Sequence, residues 1–132
     1  MAGYTIVNDL CVPHASHYRP AVRFKARDGF CIIGPAVLPA SAVADPDNLA
    51  VQVHIDGVLA QTTTTAERVR SVAQLIADVS DFMTLQAGDL LLLGPAAGAP
   101  LVRPGQAVLV SITGLGQQHS RCASHSPAGA PA

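Results

Sequence analysis

The 132 residues, 49% hydrophobic and 13% charged with a net charge of −1, suit one globular domain with a core of useful size. Aromatics make up only 4% and the eight basic residues are scattered, which excludes the basic, stacking face of a nucleic-acid binder. The longest apolar run, Asp89 to Val102, is broken by Gly94, Pro95 and Pro100 and is too short to span a bilayer.

In chain order, "GYTIVNDL" predicts a buried strand over Tyr4 to Val7, with no charged and apolar leader ahead of it. "HASHYRPAVRFKARDGF" reads as a long irregular segment. "FCIIGPAVLP" predicts a second strand interrupted at Gly34-Pro35, followed by a loop, "PASAVADPDNL". In "LAVQVHIDGVLAQTTTT" the apolar Leu49, Val51, Val53 and Ile55 alternate with Ala50, Gln52, His54 and Asp56. That period of two predicts a strand, and Asp56-Gly57 supplies a two-residue hairpin turn into the next one. "TAERVRSVAQLIADVSDFM" predicts the one clear helix: Val69, Val72, Ala73, Ile76 and Val79 recur at helical spacing, with Thr65 as N-cap and Glu67 near the positive end. Turns at Ala87-Gly88 and Pro104-Gly105 introduce two more strands, in "DLLLLG" and over Ala107 to Ile112. The Ser/Ala/Pro/Gly-rich stretch 117–132 reads as a disordered tail. The sum is an α+β domain, rich in strands, with one prominent helix.

Two clusters carry ligand-type side chains. Cys11, His14 and His17 are each separated by two residues, as are His119, Cys122 and His125. Together they could form a composite thiolate and imidazole site, which makes a small zinc-binding protein one reading. The ligand order fits no zinc-finger pattern. Three cysteines cannot all pair, so a disulfide scaffold is not indicated and a reducing cytoplasm is expected.

The ordered motifs "GYTIVND", "KARDGFCIIGP", "DPDNLAVQVHIDGVLAQTTTT", "SVAQLIADVSDFMTLQAGDLLLLG" and "VRPGQAVLVSITGLG" resemble the fumarylacetoacetate hydrolase family over Gly3 to Gly116. "VPH.S.YRPAV..K.RDGFC" is similar to the branch of isomerase/decarboxylases of 4-hydroxyphenylacetate (homoprotocatechuate) degradation. The resemblance implies a mixed β-roll, incomplete at its N-terminus, with residues 1–116 as a partial catalytic domain. It also implies a homodimer and a magnesium or manganese ion held by three carboxylates. The implied activity is metal-dependent decarboxylation or isomerisation of 2-oxo or enol di- and tricarboxylates in aromatic catabolism. A hard cation suits oxygen ligands, and its Lewis acidity suits an enolate.

Roles carry over residue by residue. Asp9 matches the last of the family's three metal carboxylates; on residue type alone it is a turn-initiating Asp. Lys25 matches the lysine that meets the substrate's oxyanion, against the plainer reading of a solvated surface lysine. Arg19 suits a substrate carboxylate or a structural ion pair. Thr65 aligns with a substrate-approaching threonine, although "TTTT" replaces the family's "GNT". Against the zinc reading, Cys11 is expected to be a small buried side chain, and His14 and His17 pocket-loop or surface residues. The family's other two carboxylates, a Glu-x-Glu pair, fall upstream of "GYT", and "LGPAAG" replaces "TGTP.G". The chain therefore corresponds to the C-terminal portion of the domain. It is expected to be inactive alone, and to act with a complementing N-terminal polypeptide or as a non-catalytic dimerising subunit.

Overall fold

The computed structural model describes residues 1–15 and 21–123. His17, Arg19 and His125 lie outside these residues.

A four-stranded antiparallel sheet in the order β6-β5-β7-β8 organises the chain: β5 is Ala50–Ile55, β6 Val58–Thr64, β7 Ala107–Ile112 and β8 Gly116–Arg121. The β5–β6 hairpin turns on Asp56 and Gly57, whose φ values of 50° and 80° are the left-handed pair such a turn requires. Asp56 also accepts hydrogen bonds from Ala107 N at 2.8 Å and Gln106 Nε2 at 3.0 Å, tying the hairpin tip to the start of β7. These bonds, the backbone one foremost, hold its carboxyl below the usual carboxylate range.

Alternation decides which face is buried. Val51 and Val53 stand opposite Ile112 and Val110, and this face packs on Ile6 and Val108 to form the core. Gln118 of β8 falls on the same face, is buried, and donates to Ile32 O at 2.9 Å. The region expected to be a tail thus contributes β8, paired along its length with β7. Composition misled there: Ser, Gln and His suit a strand that has one wet face.

The expected strand Tyr4 to Val7 is two shorter ones. β1 (Gly3–Tyr4) pairs with β4 (Leu38–Pro39), and β2 (Val7–Asp9) pairs with β3 (Cys31–Ile33). The partner segment breaks at Gly34-Pro35, where proline has no N–H for a ladder, so the first segment breaks as well. Gly34 N still donates to Ile6 O at 2.7 Å, and a Cβ on Gly3 would lie 2.0 Å from Leu38 O. A one-turn helix not anticipated from the sequence, α1 (Val22–Lys25), precedes β3.

The main helix, α2, spans Val72–Phe82 and begins later than its apolar spacing suggested. Its N-cap is Ser71, in a reciprocal capping box with Gln74, and not Thr65. Asp47 Oδ1 accepts from Val72 N at 2.8 Å, adding a second acceptor at the same end. Thr65 to Glu67 form a separate 3-10 turn capped by Thr64, so Glu67 does not face the α-helix dipole. Val69, counted on the apolar stripe, is 95% exposed. Leu90 to Leu93 form no strand: the run is apolar, but no strand pairs with it among the described residues. No helix among the described residues is long and apolar enough to cross a membrane.

Candidate functional site

β2 ends at Asp9, directly opposite Cys31 of β3, and the ladder continues through Leu10 N to Phe30 O at 2.8 Å. The following loop folds back on α1, with Val12 N donating to Phe24 O at 2.9 Å. The His14 ring stacks on Phe24, centroids 4.5 Å apart and planes within 5°. This closure brings Lys25, the only lysine in the chain, onto Asp9: Nζ lies 2.5 Å from Oδ2. The side chains are 45% and 26% exposed, respectively, so the pair sits at an open mouth. The hydrogen bond to Asp9 raises the Lys25 ammonium above the ordinary lysine value; partial desolvation opposes it, and the Asp9 charge adds to it. Two residues assigned to one site from sequence thus meet in space.

The other candidates do not join them. Thr65 Oγ1 donates to Pro46 O at 2.9 Å and accepts from Leu49 N at 2.8 Å, so its hydroxyl clasps the 45–49 loop. Arg19 lies outside the described residues. Sequence reading missed Arg68, which donates to Asp47 Oδ1 at 2.8 Å, Thr65 O at 3.1 Å and Pro46 O at 3.4 Å. An Arg in a helical-looking run that also holds Arg70 gives no signal for such a clamp. Burial, and the Asp47 charge after it, raise the Tyr4 hydroxyl above its usual range.

Cys11 is exposed, not buried as expected, and its Sγ lies 3.7 Å from His14 Nδ1. That nitrogen is also 3.0 Å from Val12 O. Among the described residues no three His, Cys, Asp or Glu side chains converge on a metal-sized position. The donor set for a hard cation is therefore one carboxylate, already matched by an ammonium. These residues alone do not fit the magnesium or manganese ion that the resemblance implies.

The description "fumarylacetoacetate (FAA) hydrolase C-terminal" fits residues 1–123 as a family match. The 4-hydroxyphenylacetate degradation bifunctional isomerase/decarboxylase of Salmonella dublin is 41% identical over 119 residues, which is 89% of this chain and 28% of that protein. Among solved structures, maleylpyruvate hydrolase from Sphingobium sp. SYK-6, in complex with manganese(II) and pyruvate, superposes with a TM-score of 0.81 at 31% identity. That match covers 92% of this chain and 44% of the other. Fumarylpyruvate hydrolase from Pseudomonas aeruginosa, also with Mn2+ and pyruvate, gives a TM-score of 0.74 at 34% identity, covering 81% and 46%. The chain spans less than a third of the length of three curated isomerase/decarboxylases that it matches, at 28%, 30% and 26%. The motif order, the fold and the family match agree: the chain belongs to the fumarylacetoacetate hydrolase family.

Proposed function

We propose that this chain forms the C-terminal, substrate-facing part of a divalent-cation-dependent isomerase/decarboxylase acting on 2-oxo or enol dicarboxylates of aromatic catabolism. The observation that carries the reading is the meeting of Lys25 with Asp9 at 2.5 Å, at positions the family motif assigns to one site. Solved relatives hold Mn2+ and pyruvate, which shares the 2-oxo carboxylate group of the proposed substrates but not their second carboxylate. Lys25 supplies a fixed positive charge for the oxygen that becomes anionic when CO2 leaves or a proton migrates. Asp9 supplies one hard oxygen donor and orients the ammonium until substrate arrives. A tight cation site needs further carboxylates, so the isolated chain is expected to be inactive. The working assembly proposed is a homodimer, a complex with an N-terminal polypeptide, or both. Val58, Leu59, Phe82 and Met83 are exposed apolar side chains that such an assembly would cover.

The test is to fuse a Glu-x-Glu-bearing upstream segment from a relative ahead of Met1. Mn2+ binding and decarboxylation or isomerisation of a 2-oxo dioate are then assayed in the fusion, its Lys25→Met variant and the parent chain. Turnover in the fusion alone is expected. A folded, Mn2+-loaded fusion without turnover sinks the reading.

A further inference from the structure

The strand register builds a second cluster on the face of the sheet away from Asp9 and Lys25. The inner face carries Val108 and Val110 against Ile6, next to β2, and Gln118 against Ile32 of β3. Residues of the other parity point outward. His54 pairs with Leu109, and Leu109 with His119, so two imidazoles flank one leucine in a single cross-strand row. Strand spacing puts their Cα atoms roughly 10 Å apart. Two residues along, Ala107 pairs with Arg121, which adds a guanidinium on the same side. A concavity of about 490 Å³ lies over these residues; His54, Leu109, His119 and Arg121 are part of its lining, and Val108 and Ser120, of the inner parity, also border it.

The donors suit an oxyanion. Arg121 Nη1 donates to Gly105 O at 2.6 Å, which anchors the guanidinium at the end of the row. His54 Nδ1 is buried without a partner among the described residues. No Asp or Glu lines the concavity. The adjacent Asp56 already spends both oxygens on Ala107 N and Gln106 Nε2. Leu109 and Ala107 leave an apolar floor between the polar groups.

We propose that this row binds a small carboxylate with an apolar body, its oxygens held by Arg121 and the imidazoles and its body resting on Leu109 and Ala107. Guanidinium matches a carboxylate in a forked geometry, and the apolar floor favours such a ligand over a bare anion. The site uses none of the residues of the proposed reaction.

Benzoate and inorganic phosphate, titrated separately into the labelled chain and followed by amide NMR, test it. Benzoate is expected to saturate, with shifts centred on residues 54, 109, 119 and 121. Arg121→Gln should weaken it about tenfold. His119→Gln, at an exposed position that leaves folding intact, should weaken it as well. Lys25→Met should leave it unchanged. Shifts that never saturate, phosphate binding as tight as benzoate, affinity unchanged in His119→Gln, or loss of binding in Lys25→Met would each overturn the proposal.

Discussion

Asp9 holds Lys25 in its charged state across 2.5 Å, and the pH dependence of that contact follows from its direction. The folded chain holds the Lys25 ammonium above its ordinary value, chiefly through the Asp9 hydrogen bond. The pair's stabilisation is then fully present below the unfolded lysine value, about 10.4, and is lost as pH rises through the higher folded value. Both groups are part-exposed, so solvent screening limits the pair to about 1 kcal/mol or less. Lys25→Met should therefore lower the melting temperature slightly at pH near 8. The gap to the parent should close in the alkaline range, read from thermal melts across that span. A gap that stays constant above the lysine range would show that the loss is packing of the stem. In the fused, active form the same substitution should lower kcat more than it raises KM, because the charge acts on an oxyanion that develops during reaction.

At the scale of elements, α2 shows how far local pattern reaches. The apolar spacing of Val72, Ile76 and Val79 was legible and correct, whereas Val69 matched the same period and stands in solvent. What fixes the start is tertiary: Asp47, from a loop 25 residues earlier, accepts from Val72 N and pairs with the part-buried Arg68. Such an acceptor is invisible to a window moving along the helix. The same limit split β1 from β2, because a strand's end depends on where its partner breaks. The hairpin at Asp56-Gly57 was legible for the opposite reason, since two left-handed residues are a local requirement. Ser71→Ala should cost about 1 kcal/mol by denaturant melt, the usual worth of an N-cap. Asp47→Ala should cost more, about 1–3 kcal/mol, since it removes an acceptor from Val72 N and leaves Arg68 without its anion. Equal losses in the two variants would mean that Arg68 finds another partner.

On the scale of the whole molecule, stability rests on few residues. Ile6, Val43, Val72, Val108 and Val110 are the buried apolar side chains among those described, and three of them form one cluster on the inner sheet face. The proposed metal chemistry was only partly legible for a related reason: the motif singles out Asp9 and Lys25, but the cation site proposed for them would be completed by donors that no window around them contains. β8 was concealed by its polar composition, yet it covers the edge of β7, and its Gln118 ties the sheet to β3 at 2.9 Å. A chain ending at Thr113 would lose the whole β7–β8 ladder and expose the edge beside Val108 and Val110. With so small a core, that loss should abolish the cooperative thermal transition followed by circular dichroism. Gln118→Leu is the informative control, because it removes the tie to Ile32 and the unpartnered Oε1 together while keeping the strand. It should still melt cooperatively, within about 1–2 kcal/mol of the parent. A truncated chain that melts like the parent would mean that β8 is dispensable and that the sheet is held from its β5–β6 side.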